Sequence, residues 1–234
     1  MLNSKNLTIY IGYDPKEAAA FHTAVQSLIE HATQPLKIVP VSLKNFKAIY
    51  NRKHDVRQSN EFSFSRFLVP HINNYEGYAI FMDCDMMLTR DIYSLADEIQ
   101  DFDKAVWLVK HDYKSSADIK YLGNVQYHYP RKNWSSFVLW NCAHKKNHSV
   151  TEEFVRDADA ATLHRFLWLD DHEIGSLPLE WNFLVGEYSK PSVLPANIHW
   201  TLGGPYFYEY AQADYHEMWN EMFQKATFTQ QNDK

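Results

Sequence analysis

Glycine is scarce in this chain: seven of 234 residues, at positions 12, 77, 123, 175, 186, 203 and 204, where average usage would give about 16. Neither GxxxxGK nor GxGxxG occurs, so the two glycine loops that commonly cradle phosphates are excluded. Cysteine is scarcer still. Cys84 and Cys142 stand alone with no CxxC, which gives no paired zinc spacing and at most one disulfide. Basic charge is not in excess: Lys plus Arg is 23, Asp plus Glu is 29, and the net charge is −6. Nothing therefore pulls the whole chain toward nucleic acid or an anionic membrane. No apolar run approaches the ~18 residues of a membrane span. The opening MLNSKNLTIYIGYDPKE has no charged stretch followed by an apolar core, so it is no secretory signal. The expectation is a cytoplasmic protein with two free thiols, no transmembrane segment and no nucleic-acid partner. The sequons at Asn6, Asn133 and Asn147 then read as chance matches.

What is present is a core. Hydrophobic residues make up 45%, with 14 Phe, 15 Tyr and 7 Trp, which excludes disorder. Leu7–Tyr13 reads as a buried strand ending at Gly12, with Asp14 and Pro15 starting a helix over Lys16–His31. Leu36–Leu43 is a second strand, followed by an irregular segment 44–60. Glu61–Ile72 reads as a helix that Pro70 ends or kinks. Tyr78–Met82 is a third strand, 91–100 a short helix, Ala105–Lys110 and Ser136–Asn141 further strands, and 211–225 a terminal helix. Residues 111–134 form a polar, Tyr-rich connection. The alternation predicts an α/β domain with a mostly parallel sheet. No linker or repeat interrupts it, so one domain spans 1–234.

The third strand runs straight into Asp83-Cys84-Asp85. Strand alternation would aim both carboxylates at one point, at the end of the sheet where ligands gather. Two close carboxylates call for a cation, and hard oxygen ligands suit Mg²⁺ or Mn²⁺. The bland reading, a pair of solvated turn or cap residues, stands beside it.

Several segments together resemble the nucleotide-sugar glycosyltransferases with the GT-A fold, and family 8 among them, the retaining lipopolysaccharide galactosyl- and glucosyltransferase type. These are IYIGYDP, FSRFLVP, YAIFMDCDMML to RDIYSL, LDDHEIGSLPLEWN and IHWTLGGPYF, in that order over about residues 7–207. The resemblance implies a Rossmann-like, mostly parallel sheet flanked by helices, with a nucleotide-binding half (1–110) and an irregular acceptor and closing half (111–234). It implies transfer of a hexose from a nucleotide sugar, a UDP-sugar, to a glycan or lipid-linked acceptor, with retention of configuration. Asp83, Asp85 and His199 would hold Mn²⁺ (or Mg²⁺). Tyr13 and Asp14 would contact the base, Arg66 the donor phosphate or sugar, and Gly203 and Gly204 the diphosphate through their backbone. Asp171 and His172 would lie near the transferred sugar as catalytic residues together with Arg66. Ser136 and Asn141 would reach the acceptor.

Each residue has a structural alternative: Asp14 as a helix cap, Arg66 in an ion pair, His199 as a hydrogen-bonded core histidine, Gly203-Gly204 as a turn. The family lysine after the histidine is missing from GGPYF, and Arg131, Lys132 or Lys110 would substitute for it. Two other functions compete: a metal-dependent phosphoesterase or nucleotidase, and a silent nucleotide-sugar binder.

Overall fold

Leu7–Gly12 forms strand β1, buried at every position but Thr8. Asp14 caps the next turn: its side chain accepts the Lys16 N–H, and Pro15 opens a 3₁₀ turn, Pro15–Glu17, that passes into helix α1 (Ala18–His31). The expected helix is present with its first turn wound tighter. The segment read as one helix over 61–72 is instead a 3₁₀ turn, Ser65–Leu68, followed by the short helix α2 (Val69–Ile72). Pro70 lies in the first turn of α2, where its missing N–H costs nothing, so it starts that helix rather than ending it. The computed structural model describes residues 2–55, 58–113, 119–125 and 130–228. Part of the Tyr-rich connection 111–134 thus lies outside the described residues.

The remaining strands are β2 (Ile38–Val41), β3 (Tyr78–Met82), β4 (Met86–Leu88), β5 (Val106–Leu108), β6 (Ile119–Lys120), β7 (Asn124–Val125), β8 (Phe137–Asn141), β9 (Ile174–Ser176), β10 (Phe183–Leu184) and β11 (Asn197–His199). The remaining helices are α3 (Glu152–Asp157), α4 (Ala160–His164) and α5 (His216–Thr227). The helix expected over 91–100 is a 3₁₀ segment, Ile92–Glu98.

Six strands form one sheet in the order β2-β1-β3-β8-β5-β9. β1 is parallel to β2 and β3, and β5 is parallel to β9. β8 alone runs antiparallel, against both β3 and β5. The mostly parallel α/β architecture matches the expectation. The direction of β8 corrects one detail. Asn141 pairs with Tyr78 at the start of β3, and its side chain donates to the carbonyls of Phe102 and Lys104. It therefore lies at the far edge of the sheet from Asp83. Ser136, just before β8, is at the near edge, where its carbonyl accepts the Asp83 N–H at 2.9 Å.

β4 leaves this sheet and joins a second one, β10-β11-β4. Its own apolar cluster includes Met87, Phe183, Ile198, Trp200 and Trp219 of α5. Helix α1 packs against both β4 and α5. Ile9, Ile11, Ile80, Phe81, Leu139 and Trp140 fill the main core with almost no exposure. At ~1.5–3 kcal/mol per buried side chain, their burial fixes the register that places Asp83 at the sheet edge. Both cysteines are free and buried. Among the described residues no helix is long and apolar enough to cross a membrane.

Candidate active site at the junction of two sheets

The carboxylates of Asp83 and Asp85 come together, but not by strand alternation. β3 ends at Met82, the chain turns at Cys84 and Asp85, and β4 begins at Met86. The aspartates occupy the hand-over from one sheet to the other. β11 pairs antiparallel with β4, with His199 opposite Met86, and the Trp200 N–H donates to the Asp85 carbonyl. This pairing carries His199 to the aspartates from more than a hundred residues away in sequence. One ligand atom from each of Asp83, Asp85 and His199 lies within 4.8 Å of the other two, and all three residues are buried.

The orientation of His199 is set by a chain of hydrogen bonds. Ser136 Oγ donates to the Asn133 carbonyl at 2.7 Å. It thereby accepts from Asn182 Nδ2 at 2.9 Å. Asn182 Oδ1 is then turned to His199 Nδ1 at 2.8 Å, so Nδ1 carries the proton. Nε2 faces Asp85 Oδ1 at 3.3 Å. In the neutral imidazole Nε2 bears a lone pair, and Asp85 Oδ1 is buried without a hydrogen-bond donor among the described residues. Two lone pairs this close call for a proton or a cation between them. The donor set of two carboxylates and one imidazole, with its second partner already fixed, fits Mn²⁺ or Mg²⁺.

Arg66 is placed by the 3₁₀ turn Ser65–Leu68. Its Nη1 lies 2.8 Å from Asp83 Oδ1 and donates to the Ser135 carbonyl, while Nε donates to the Phe62 carbonyl. The guanidinium sits over the rings of Phe62 and Phe81. It is thus an ion-pair anchor for Asp83 that also lines the cleft. Cys84, fully buried beneath the aspartates, has its thiol pushed well above the ordinary value by burial and then by the surrounding carboxylates. It is an inert packing residue.

A cleft of about 370 Å³ opens beside the aspartates. Of the residues singled out in the sequence, Arg66, Asp83, Asp85 and Ser136 line it, and Thr201 joins them. The lining also takes in residues that the sequence did not signal: Gln58, Ser59 and Asn60 from the irregular segment, and His164 and Arg165 at the end of α4. Short polar residues in a loop and a five-residue helix carry no periodic or motif signal that would have found them.

The other expected residues lie outside this cleft. Asp14 is buried and both of its oxygens are used, Oδ1 by the Lys16 N–H and Oδ2 by the Glu61 N–H. Tyr13 is half-buried with its ring edge-on to Phe21. Neither lines the cleft. Gly203 has φ 144°, and its N–H donates to the Trp200 carbonyl. A Cβ there would meet the Tyr210 ring at 2.5 Å, and one on Gly204 would meet the Tyr206 ring at 2.2 Å. Ring packing alone requires both glycines. Asp171 and His172 are exposed and outside the cleft lining, with Asp171 held by Arg131. Of the substitutes for the missing lysine, Arg131 is engaged there, and Lys110 Nζ donates to the Ile174 carbonyl.

One unforeseen acid adjoins the centre. Glu17 is 2% exposed, and its carboxyl is pushed up to about 8, first by burial and then by the Asp85 charge. Tyr206 OH donates to its Oε1 at 2.8 Å, which works in the opposite direction.

No protein-family profile matches the chain. Among solved structures, it resembles WbbM, described as a bifunctional glycosyltransferase, at 15% identity and TM-score 0.64, covering 93% of this chain and 49% of WbbM. It resembles the glycosyltransferase GlyE of Streptococcus pneumoniae TIGR4 at 14% identity and TM-score 0.61, covering 93% of this chain and 60% of GlyE. The chain thus spans about half to three-fifths of these two proteins. It also resembles the galactosyltransferase LgtC, solved with donor and acceptor sugar analogues, at 12% identity and TM-score 0.57, covering 96% of this chain and 98% of LgtC. These likenesses show a fold of the GT-A glycosyltransferase type. Protein CDI of Arabidopsis thaliana is 42% identical over 225 residues, which are 93% of this chain and 86% of CDI. The chain therefore belongs to the family of Arabidopsis protein CDI, built on the GT-A-type glycosyltransferase fold.

Proposed function

We propose that this protein is a cytoplasmic, metal-dependent glycosyltransferase that moves a hexose from a UDP-sugar to a hydroxyl of a glycan or lipid-linked acceptor, with retention of configuration. The observation that carries the reading is the convergence of Asp83, Asp85 and His199 beside a cleft, at the carboxyl edge of β3 in a GT-A-type fold. Clefts of this size are typical of small-molecule sites, and in open α/β sheets they lie at that edge.

Asp83, Asp85 and His199 would hold Mn²⁺ or Mg²⁺. The bound cation supplies Lewis-acid stabilisation of charge on the departing diphosphate. The chain's own residues prepare the site. Arg66 fixes Asp83 and presents its guanidinium edge to the cleft. Ser136, by orienting Asn182, fixes the His199 tautomer. Ser59, Asn60 and Ser136 offer hydroxyl and amide groups that read sugar hydroxyls, and the Tyr13 ring stacks on the base. Gly203 and Gly204 let the chain pass close to the phosphates under the rings of Tyr206 and Tyr210. Asp171 and His172 take a role near the transferred sugar only if their segment moves inward on binding.

Incubation with UDP-glucose or UDP-galactose and Mn²⁺, without acceptor, tests this. Slow release of UDP and free sugar is expected. Release of UMP and sugar 1-phosphate would instead mark a phosphoesterase, and binding without turnover a silent binder.

A further inference from the structure

Arg52 stands behind the cleft rather than in it: it lines an outer groove that shares Asp55 with the cleft. Its Nη1 donates to three carbonyls, of Val155 at 2.9 Å, Arg156 at 3.2 Å and Ala158 at 2.6 Å. These belong to the last turn of α3 and to its C-cap. A helix leaves its final carbonyls without partners of its own, and its negative end favours a cation. The guanidinium also covers the Phe64 ring, 4.0 Å from the centroid. One side chain of the irregular segment 44–60 thus ties that segment to the α3–α4 corner and to Phe64.

All three of these parts reach the cleft. Ser59 and Asn60 line it from the segment, Ala161 and His164 from α4, and Phe64 joins them. The Phe64 and His164 rings lie side by side, with centroids 5.6 Å apart. The segment has further ties. Gln58 Oε1 accepts the Asp55 N–H, Gln58 Nε2 donates to the Asn60 carbonyl, and the Glu61 N–H donates to Asp14 Oδ2. The wall so held differs chemically from the aspartate end of the cleft. A cation on Asp83 and Asp85 draws the diphosphate to that end. Ser59 and Asn60 are uncharged and suit sugar hydroxyls, and Asp55 near them disfavours a phosphate.

We propose that Arg52 is a positioning residue for the donor sugar: it sets the wall formed by Ser59, Asn60 and α4 at the distance from the aspartates that grips the sugar, without touching substrate itself. The inference rests on the glycosyltransferase reading and adds to it a residue outside the cleft. Grip of this kind is sensitive to small displacements of the supporting structure.

Calorimetry in Mn²⁺ with two probes, UDP and UDP-glucose, separates the wall from the cation centre. Arg52→Met keeps the apolar stem and removes the donors. It should weaken UDP-glucose on the order of tenfold and UDP by less than about twofold. Arg52→Lys should restore most of the loss, because Nη1 alone meets the three carbonyls and an ammonium carries three N–H groups. A role confined to stability would lower the melting temperature and leave the ratio of the two affinities unchanged. An unchanged ratio in folded Arg52→Met, a loss shared equally by both probes, or an Arg52→Lys protein no better than Arg52→Met would overturn the inference. If Arg52→Met does not fold, hydrogen exchange on wild type decides. The amides of residues 58–64 should gain more protection from UDP-glucose than from UDP, and equal protection would overturn the inference. Each of these failures leaves the glycosyltransferase reading standing, as does wild type that binds UDP but not UDP-glucose, which overturns the inference alone. Failure of wild type to bind either probe would overturn both.

Discussion

Glu17 occupies the first turn after Asp14, buried beside Asp85, Asp14 and Asp83, with the Tyr206 hydroxyl on its carboxyl. Burial and like charge raise its pKa from 4.5 to about 8. Between those values the folded protein keeps a proton that the unfolded chain has released. Stability of the metal-free protein should therefore fall as pH rises from about 4.5 to about 8 and then level off. Glu17→Gln removes this penalty. In EDTA it should be more stable than wild type at pH 8.5 by on the order of a few kcal/mol, with the gap closing near pH 4.5. Denaturant unfolding at the two pH values measures it, and equal stabilities at pH 8.5 would contradict the assignment. Asp83 and Asp85 were legible in the sequence because they end an apolar run, and Asp14 because a proline comes directly after it. Glu17 was not. A glutamate at a helix start reads as an ordinary first-turn acid, and the tyrosine that covers it lies 189 residues further on.

At the scale of elements, the site depends on how β4 leaves β3. Helix α1 holds that junction from behind. Ser27 Oγ accepts the Leu88 N–H at 3.0 Å in a buried position and donates to the Ala24 carbonyl at 2.7 Å. Ser27→Ala would leave the Leu88 N–H buried without an acceptor, at a cost of about 1–3 kcal/mol. That should lower Tm by several degrees in a chain of this size. A melting curve unchanged from wild type would show that α1 does not brace β4. Strands β1, β3 and β8 were readable from their apolar runs. The direction of β8 was not, because alternation along a strand says nothing about which way its neighbour runs. The same ignorance misplaced Asn141 as an acceptor contact and left Ser136 at the cleft. The helix read over 61–72 broke up because tertiary packing of Phe62, Phe64 and Phe67 outweighed its local pattern.

The whole molecule is acidic and poor in glycine, yet its proposed substrate carries a diphosphate. The two statements agree if carboxylates recruit a cation and the cation meets the phosphates. Four of the seven glycines, Gly12, Gly175, Gly203 and Gly204, lie where an aromatic ring leaves no room for a Cβ, so the aromatic surplus and the few glycines are partly one feature of packing. The fold type was legible from the order of segments along the chain. The polar cleft wall was not, since it is assembled from loop residues far apart in sequence. The central claim is that the Asp83–Asp85–His199 centre links cation and nucleotide. Calorimetric titration of UDP, with Mn²⁺ and then with EDTA, into wild type and Asp85→Asn tests it most directly. Wild type should bind UDP about tenfold or more tightly with Mn²⁺, while Asp85→Asn should bind weakly under both conditions. UDP affinity in wild type that is the same in Mn²⁺ and in EDTA would contradict the account.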